Sequence, residues 1–197
     1  MIDLDTLLAW GATYKKLGPD ETIYREGTEG NFYYQLVSGS VRWTNIKDDG
    51  GEFIQNMISP AESFGEYPLF DGKVYAASAI SNQDSVIIRL HKASFNKMLK
   101  ANPEIYPKFL QLFAERLRFK FLLLREISCF GPIHRITTLF NYLKESKKNF
   151  CGKCNQVQLT RQQIADMTGL RVETVIRSIR QMQENGELDI QKGKVYC

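Results

Sequence analysis

At 197 residues, 43% of them hydrophobic, the chain is long enough for one large or two small domains with real cores. No stretch of eighteen apolar residues occurs, and Met1-Ile2-Asp3-Leu4-Asp5 lacks the basic start and apolar run of a secretion signal, so a soluble cytoplasmic protein with no membrane partner is expected. The net charge of +4 is uneven: 15 Lys/Arg stand against 16 Asp/Glu through Phe130, but 11 against 6 from Gly131 onward, so the basic excess lies where a nucleic-acid surface would use it.

In chain order, residues 2–14 carry a short amphipathic pattern (Leu4, Leu7, Leu8, Trp10) that predicts a helix. From Tyr14 to about Leu90 the pattern turns to short alternating runs at 22–24, 32–37, 40–44 and 52–58. They are broken at Gly27, Ser38-Gly39, residues 48–51 and Ser59-Pro60. Short, evenly spaced strands of this kind predict an antiparallel sandwich or barrel. A short helix follows over 93–99, and after Asn102-Pro103 one long helix is expected from Glu104 to about Cys129, with Pro107 tolerable in its first turn. It stops at Gly131-Pro132. Leu110, Phe113, Leu117, Phe121 and Leu124 trace a seam of three- and four-residue steps, while Phe119, Leu122 and Leu123 form a second apolar face. A helix apolar on two sides must be covered on two sides. A homodimeric coiled coil is the economical solution; a central helix in a larger monomeric core is the alternative.

Residues 133–146 predict another amphipathic helix, and 147–158 a loop or hairpin. Next, Thr160 and Gln163 have capping-box spacing, Ile164, Ala165 and Met167 give a first helix its buried side, and Gly169 marks a sharp turn. A second helix, residues 171–184, buries Val172, Val175, Ile179 and Met182. Two helices joined through a short glycine turn predict a helix-turn-helix, with 186–190 and 194–196 as a terminal wing hairpin. Glu173, Arg177 and Arg180 share one stripe of the second helix. A carboxylate there can accept from cytosine N4, and an arginine one turn later can fork onto guanine O6 and N7. Arg171, Thr174 and the Thr160-Arg161-Gln162 cluster are placed for phosphate or flanking contacts. Alternatively, Glu173 and Arg177 are only an i, i+4 surface pair.

Nearly end to end, the chain resembles the cyclic-AMP receptor protein and fumarate-nitrate regulator (Crp–Fnr) family. The resemblance rests on Glu26-Gly27, the 36–41 segment Leu-Val-Ser-Gly-Ser-Val, Phe64-Gly65-Glu66 with Leu69-Phe70, and residues 159–177. It implies an α+β protein: an N-terminal antiparallel β-roll sensor of jelly-roll type (1–100), a long dimerisation helix and hinge (101–130) and a C-terminal winged helix-turn-helix (131–197). It further implies a homodimer on pseudo-palindromic promoter DNA, in contact with RNA polymerase. By position, Glu173 and Arg177 match the family's base-reading pair. Val172 agrees with the Fnr branch but Ile176 replaces that branch's serine, so neither branch's half-site transfers.

The same resemblance places a cyclic-nucleotide pocket after Gly65-Glu66. Here that segment is shortened and has no arginine, Lys73-Val74 standing at the arginine-serine step. A lysine is a point charge without the planar fork. The adenine-contacting hydroxyl pair falls near Lys120-Phe121, where both hydroxyls are missing. Cyclic AMP is therefore not the expected effector. Tyr67, Tyr75 and Phe121 as walls, with Lys73 and Lys120 as cationic handles, suit a small anionic or aromatic ligand of unknown identity, and a filled pocket is the alternative. Cys151-Gly152-Lys153-Cys154 has redox or zinc spacing, and Cys129 lies at the hinge, so a redox- or metal-responsive regulator is a further alternative, as is a cyclic-nucleotide-binding regulatory protein. Two cysteines are two ligands short of a zinc site, with Cys129, Cys197 and His134 as loose candidates, so no metal is expected. Among enzymes, a cupin-like barrel needs histidines within its strands, and none precedes His91.

Overall fold

The computed structural model describes residues 2–197. They divide into two compact units, one ending at Ala114 and the other spanning Glu115–Cys197. In the first, α1 (Leu4–Ala9) leads into β1 (Thr13–Leu17), β2 (Thr22–Tyr24), β3 (Phe32–Ser38), β4 (Val41–Ile46), β5 (Glu52–Ile58) and β6 (Ser63–Phe64). After α2 (Tyr67–Asp71) come β7 (Ser78–Ser81), β8 (Ser85–His91), α3 (Lys92–Ala101), a 3₁₀ turn at Pro103–Ile105, and the start of α4 (Tyr106–Cys129). The first helix is shorter than its amphipathic pattern: Thr13 and Tyr14 open β1 instead, paired with Arg89 and Ile88 of β8. The long helix starts at Tyr106 because Pro103 to Ile105 close a tighter turn, which keeps Pro107 within the first helical turn.

Two four-stranded antiparallel sheets, β1-β8-β3-β6 and β2-β7-β4-β5, make the roll. Period-two alternation sends the side chains of β3 to two different cores. Tyr33 joins Leu7, Leu90, Phe95, Met98 and Phe109 under the helices, whereas Tyr34 and Leu36 pack with Leu17, Tyr24, Ile58, Phe64, Tyr75 and Ile87 inside the roll. The buried Gln35 is satisfied: its carbonyl oxygen accepts from the Tyr33 hydroxyl at 2.7 Å and its amide donates to the Ile2 carbonyl at 3.0 Å.

In the second unit the rest of α4 is followed by α5 (Pro132–Ser146), β9 (Phe150–Cys151), β10 (Gln156–Val157), α6 (Arg161–Thr168), α7 (Val172–Glu184), β11 (Asp189–Gln191) and β12 (Lys194–Tyr196). The strands form one sheet in the order β11-β12-β10-β9, so the hairpin before the helix pair and the wing after it are a single hydrogen-bonded platform. Ile136, Leu139, Phe140 and Leu143 of α5 are buried, as are Ile164 and Met167 of α6 and Val175, Ile179 and Met182 of α7. Between α4 and α5 the Arg135 guanidinium donates to the Ile127 carbonyl at 2.7 Å and to the Phe130 carbonyl at 2.9 Å, satisfying acceptors that the end of a helix leaves open.

Candidate nucleic-acid interface

The α6–α7 pair is set by its ends. The Thr160 hydroxyl accepts from the Gln163 N–H at 3.1 Å while the Thr160 N–H donates to the Gln163 side chain at 2.9 Å. This is a complete capping box, whose hydroxyl stabilises the helix by about 1 kcal/mol. Gly169 closes α6 in the left-handed region, φ +66°, where an L side chain would be strained. After the turn, α7 is strongly two-faced. Val175, Ser178, Ile179 and Met182 are buried, with Val172 half-buried; Glu173, Ile176, Arg177, Arg180, Gln181 and Glu184 line one open face.

Glu173, Arg177 and Arg180 thus share a solvent face at i, i+4 and i+7. Among the described residues no ion pair joins Glu173 to Arg177 although their spacing permits one, so neither charge is consumed by the other. The flanking candidates differ in freedom. Arg171 caps α7 through its backbone alone and is exposed, and Thr174 is half-buried. Gln162 donates to Asp166 at 2.8 Å, and half-buried Arg161 has its guanidinium pKa lowered by burial. Ile176, 37% exposed between the two charged residues, adds an apolar element that the charge pattern alone did not single out.

Two family models match the chain: the cyclic nucleotide-binding domain over residues 14–102 and the Crp-like helix-turn-helix domain over 134–196. The chain belongs to the Crp–Fnr family. It is a Crp-like DNA-binding transcription regulator with a domain of the cyclic-nucleotide-binding type. Among its relatives, the "cAMP-activated global transcriptional regulator CRP" of Haemophilus influenzae is 27% identical over 91% of this chain and 83% of its own length. The "Cyclic AMP receptor protein" of Thermus thermophilus is 26% identical over 95% and 85%. In fold, this Crp–Fnr chain is similar to FixK2 of Bradyrhizobium japonicum, with a TM-score of 0.80 at 23% identity over 94% of this chain and 91% of that one. It is also similar to the c-di-GMP-responsive regulator CLP of Xanthomonas campestris, with a TM-score of 0.79 at 18% identity over 98% and 96%.

Inside the roll of this Crp–Fnr chain, Gly65 has φ +71°, and a Cβ there would lie 2.8 Å from the Tyr24 ring. Tyr24 stacks on Tyr75 at 3.7 Å, and Tyr34 stacks on Phe64 at 5.3 Å. The Tyr75 ring, 3% exposed, is thus part of a closed aromatic stack, and burial pushes its phenol pKa up. Glu66 is fully buried, and Tyr67 packs against Trp43 and Phe113. Lys73 is exposed at the end of the α2 turn, its N–H donating to Asp71 at 2.9 Å. Gly65 and Tyr75 therefore meet at the Tyr24 ring inside the roll, Tyr67 packs elsewhere against Trp43 and Phe113, and Lys73 is exposed to solvent. Lys120 and Phe121 belong to the second unit. Lys120 is half-buried beside Phe119, its pKa pushed down to about 8 by burial and then by the Arg116 charge. Sequence alone does not mark Tyr24, because a lone tyrosine in a three-residue strand carries no periodic signal; its neighbour Gly65 is the available clue.

Along α4, Leu110 is 68% exposed, Leu117 53%, Phe121 62% and Leu124 62%, whereas Phe113 is half-buried against Phe70 and Phe109. The second face is covered, with Phe119 and Leu123 buried and Phe119 stacked on Tyr142 at 3.9 Å. At the α4–α5 joint the buried Glu126 accepts from Arg125 at 2.8 Å and lies 3.1 Å from His134 Nε2, a cluster that the Gly131-Pro132 signal did not disclose. Cys129 is exposed nearby. Among the described residues, no group of three His, Cys, Asp or Glu side chains is arranged to hold a metal ion.

Proposed function

We propose that the protein is a homodimeric regulator that grips a pseudo-palindromic promoter site, with Glu173 and Arg177 reading base edges in the major groove. Arg180, Arg171, Thr174, Thr160, Arg161 and Gln162 hold the flanking backbone. The observation that carries this reading is the open stripe of α7, where a carboxylate and a guanidinium one turn apart stand unpaired on the helix that a helix-turn-helix places in the groove. The dimer is supported by the α4 seam, where four large apolar side chains are more than half exposed in a single chain and repeat at coiled-coil spacing. In this reading, residues 1–100 sense, 101–130 dimerise and 131–197 bind DNA, in the cytoplasm and in contact with RNA polymerase.

The roll modulates DNA affinity through an effector other than cyclic AMP. Lys73 stands where the family's arginine would be, and it faces solvent rather than the aromatic core. The Haemophilus and Thermus relatives are named for cyclic AMP and the Xanthomonas neighbour for c-di-GMP, so the names attached to this fold do not point to a single ligand. Selection from a random duplex pool tests the reading: an inverted repeat with half-sites one helical turn apart is expected, and enrichment of single, unpaired half-sites would overturn the dimer.

A further inference from the structure

Four cysteines are present, all with free thiols, and two of them meet. Cys151 ends β9 and Cys154 lies in the four-residue turn before β10, so one tight hairpin holds the two thiols three positions apart. The Cys154 thiol and the peptide N–H groups of Cys154 and Lys153 lower the Cys151 pKa. Donors converging on a sulfur from a neighbouring thiol and two peptide groups favour its thiolate. The turn is held from both sides. Cys151 pairs with Gln156 across the hairpin, and just beyond β12, which pairs with β10, the Cys197 N–H donates to the Asn155 carbonyl at 3.0 Å. Cys154 is exposed and Cys151 half-buried, so small reactants reach the pair.

We propose that Cys151 and Cys154 are a dithiol that exchanges with low-molecular-weight disulfides, Cys151 as the attacking sulfur and Cys154 as the resolving one. Cys151 gives up its proton and attacks one sulfur of the disulfide RSSR. The RS–SR bond breaks, and the leaving thiolate takes up a proton to become RSH. Cys154 then loses its proton and attacks Cys151 in the mixed disulfide, expelling the second RS⁻, which is protonated in turn. The protein loses two electrons to a Cys151–Cys154 disulfide, RSSR is reduced to two RSH, and no net proton is consumed. The asymmetry of roles follows from the surroundings: the thiol of Cys154 and the backbone amides hold the Cys151 pKa below the usual thiol value, while Cys154, donating to Cys151, is held above it. Burial raises the Cys197 thiol, which disfavours it as the attacking sulfur.

The test uses the reduced full-length protein, oxidised glutathione as the probe, and alkylation of the remaining thiols before peptide mass analysis. Wild-type protein is expected to lose two hydrogens between Cys151 and Cys154 while Cys129 and Cys197 remain alkylated. Cys154→Ser should stop at a glutathione adduct on Cys151, and Cys151→Ser should slow the first step at least tenfold. Circular dichroism of both variants checks that the hairpin domain stays folded. Modification of Cys129 or Cys197 ahead of the pair, or a Cys151→Ser protein that reacts as fast as wild type, overturns the assignment.

Discussion

Replacing Phe121 by alanine separates a dimer seam from a buried central helix. Its ring is 62% exposed in the single chain, so truncating it opens no internal cavity and should leave the chain's own stability within about 0.5 kcal/mol. Complete burial of a phenylalanine side chain is worth about 1.5–3 kcal/mol, and roughly three fifths of that remains to be gained at this position, or about 1–2 kcal/mol per chain. A two-fold interface uses the residue twice, so the dimer should weaken by about 2–4 kcal/mol, from roughly 30-fold to nearly 1000-fold in its dissociation constant. Sedimentation equilibrium over a concentration series measures the constant, with urea unfolding of the monomeric fraction as control. A dissociation constant within threefold of wild type, at unchanged monomer stability, would refute the seam.

Arg177→Ala should cost about 1–3 kcal/mol per half-site against the selected sequence while leaving non-specific DNA affinity nearly intact; gel-shift titration against specific and scrambled duplexes reads the difference. Cyclic AMP should give no saturable heat in titration calorimetry at micromolar concentrations, and a micromolar dissociation constant would overturn the reading of Lys73. Lys120 titrates near 8 in the folded chain against about 10.5 when unfolded, so between those values the unfolded chain holds more protons and stability rises with pH. Lys120→Met should therefore stabilise by on the order of 2–3 kcal/mol at pH 7, where the buried charge is fully present, and the gain should shrink as the pH approaches 10.5. Urea unfolding at both ends of that range checks the sign.

The parts that were legible in sequence are those where one residue type has one structural use. Thr160 and Gln163 can satisfy each other only at a helix start, and Gly169 serves where a side chain would strain the turn; both stand where their spacing put them. The alternating runs gave the strands of the roll but not their partners, because the β3–β8 and β4–β7 pairings join segments tens of residues apart and no local pattern encodes them. The amphipathic pattern over 2–14 outruns the first helix, since Thr13 and Tyr14 are decided by pairing with Arg89 and Ile88 rather than by their own periodicity. Within the sensor, Gly65-Glu66 was readable as a motif, but the tyrosine stack over it was not: Tyr24, Tyr34 and Tyr75 come from three separated segments and meet only in the folded core. The Glu126–His134 contact was hidden for a similar reason, lying across the break between two helices.

That break has a mechanical consequence. A glycine-proline step suggests a flexible elbow, yet Arg135 of α5 spans it and binds two carbonyls at the end of α4, so bending there would strand acceptors that water or another donor must then satisfy. The joint is closer to a weld than to a swivel. Within the second unit, torque on the last turns of α4 would pass into α5 through these two hydrogen bonds instead of being absorbed between them.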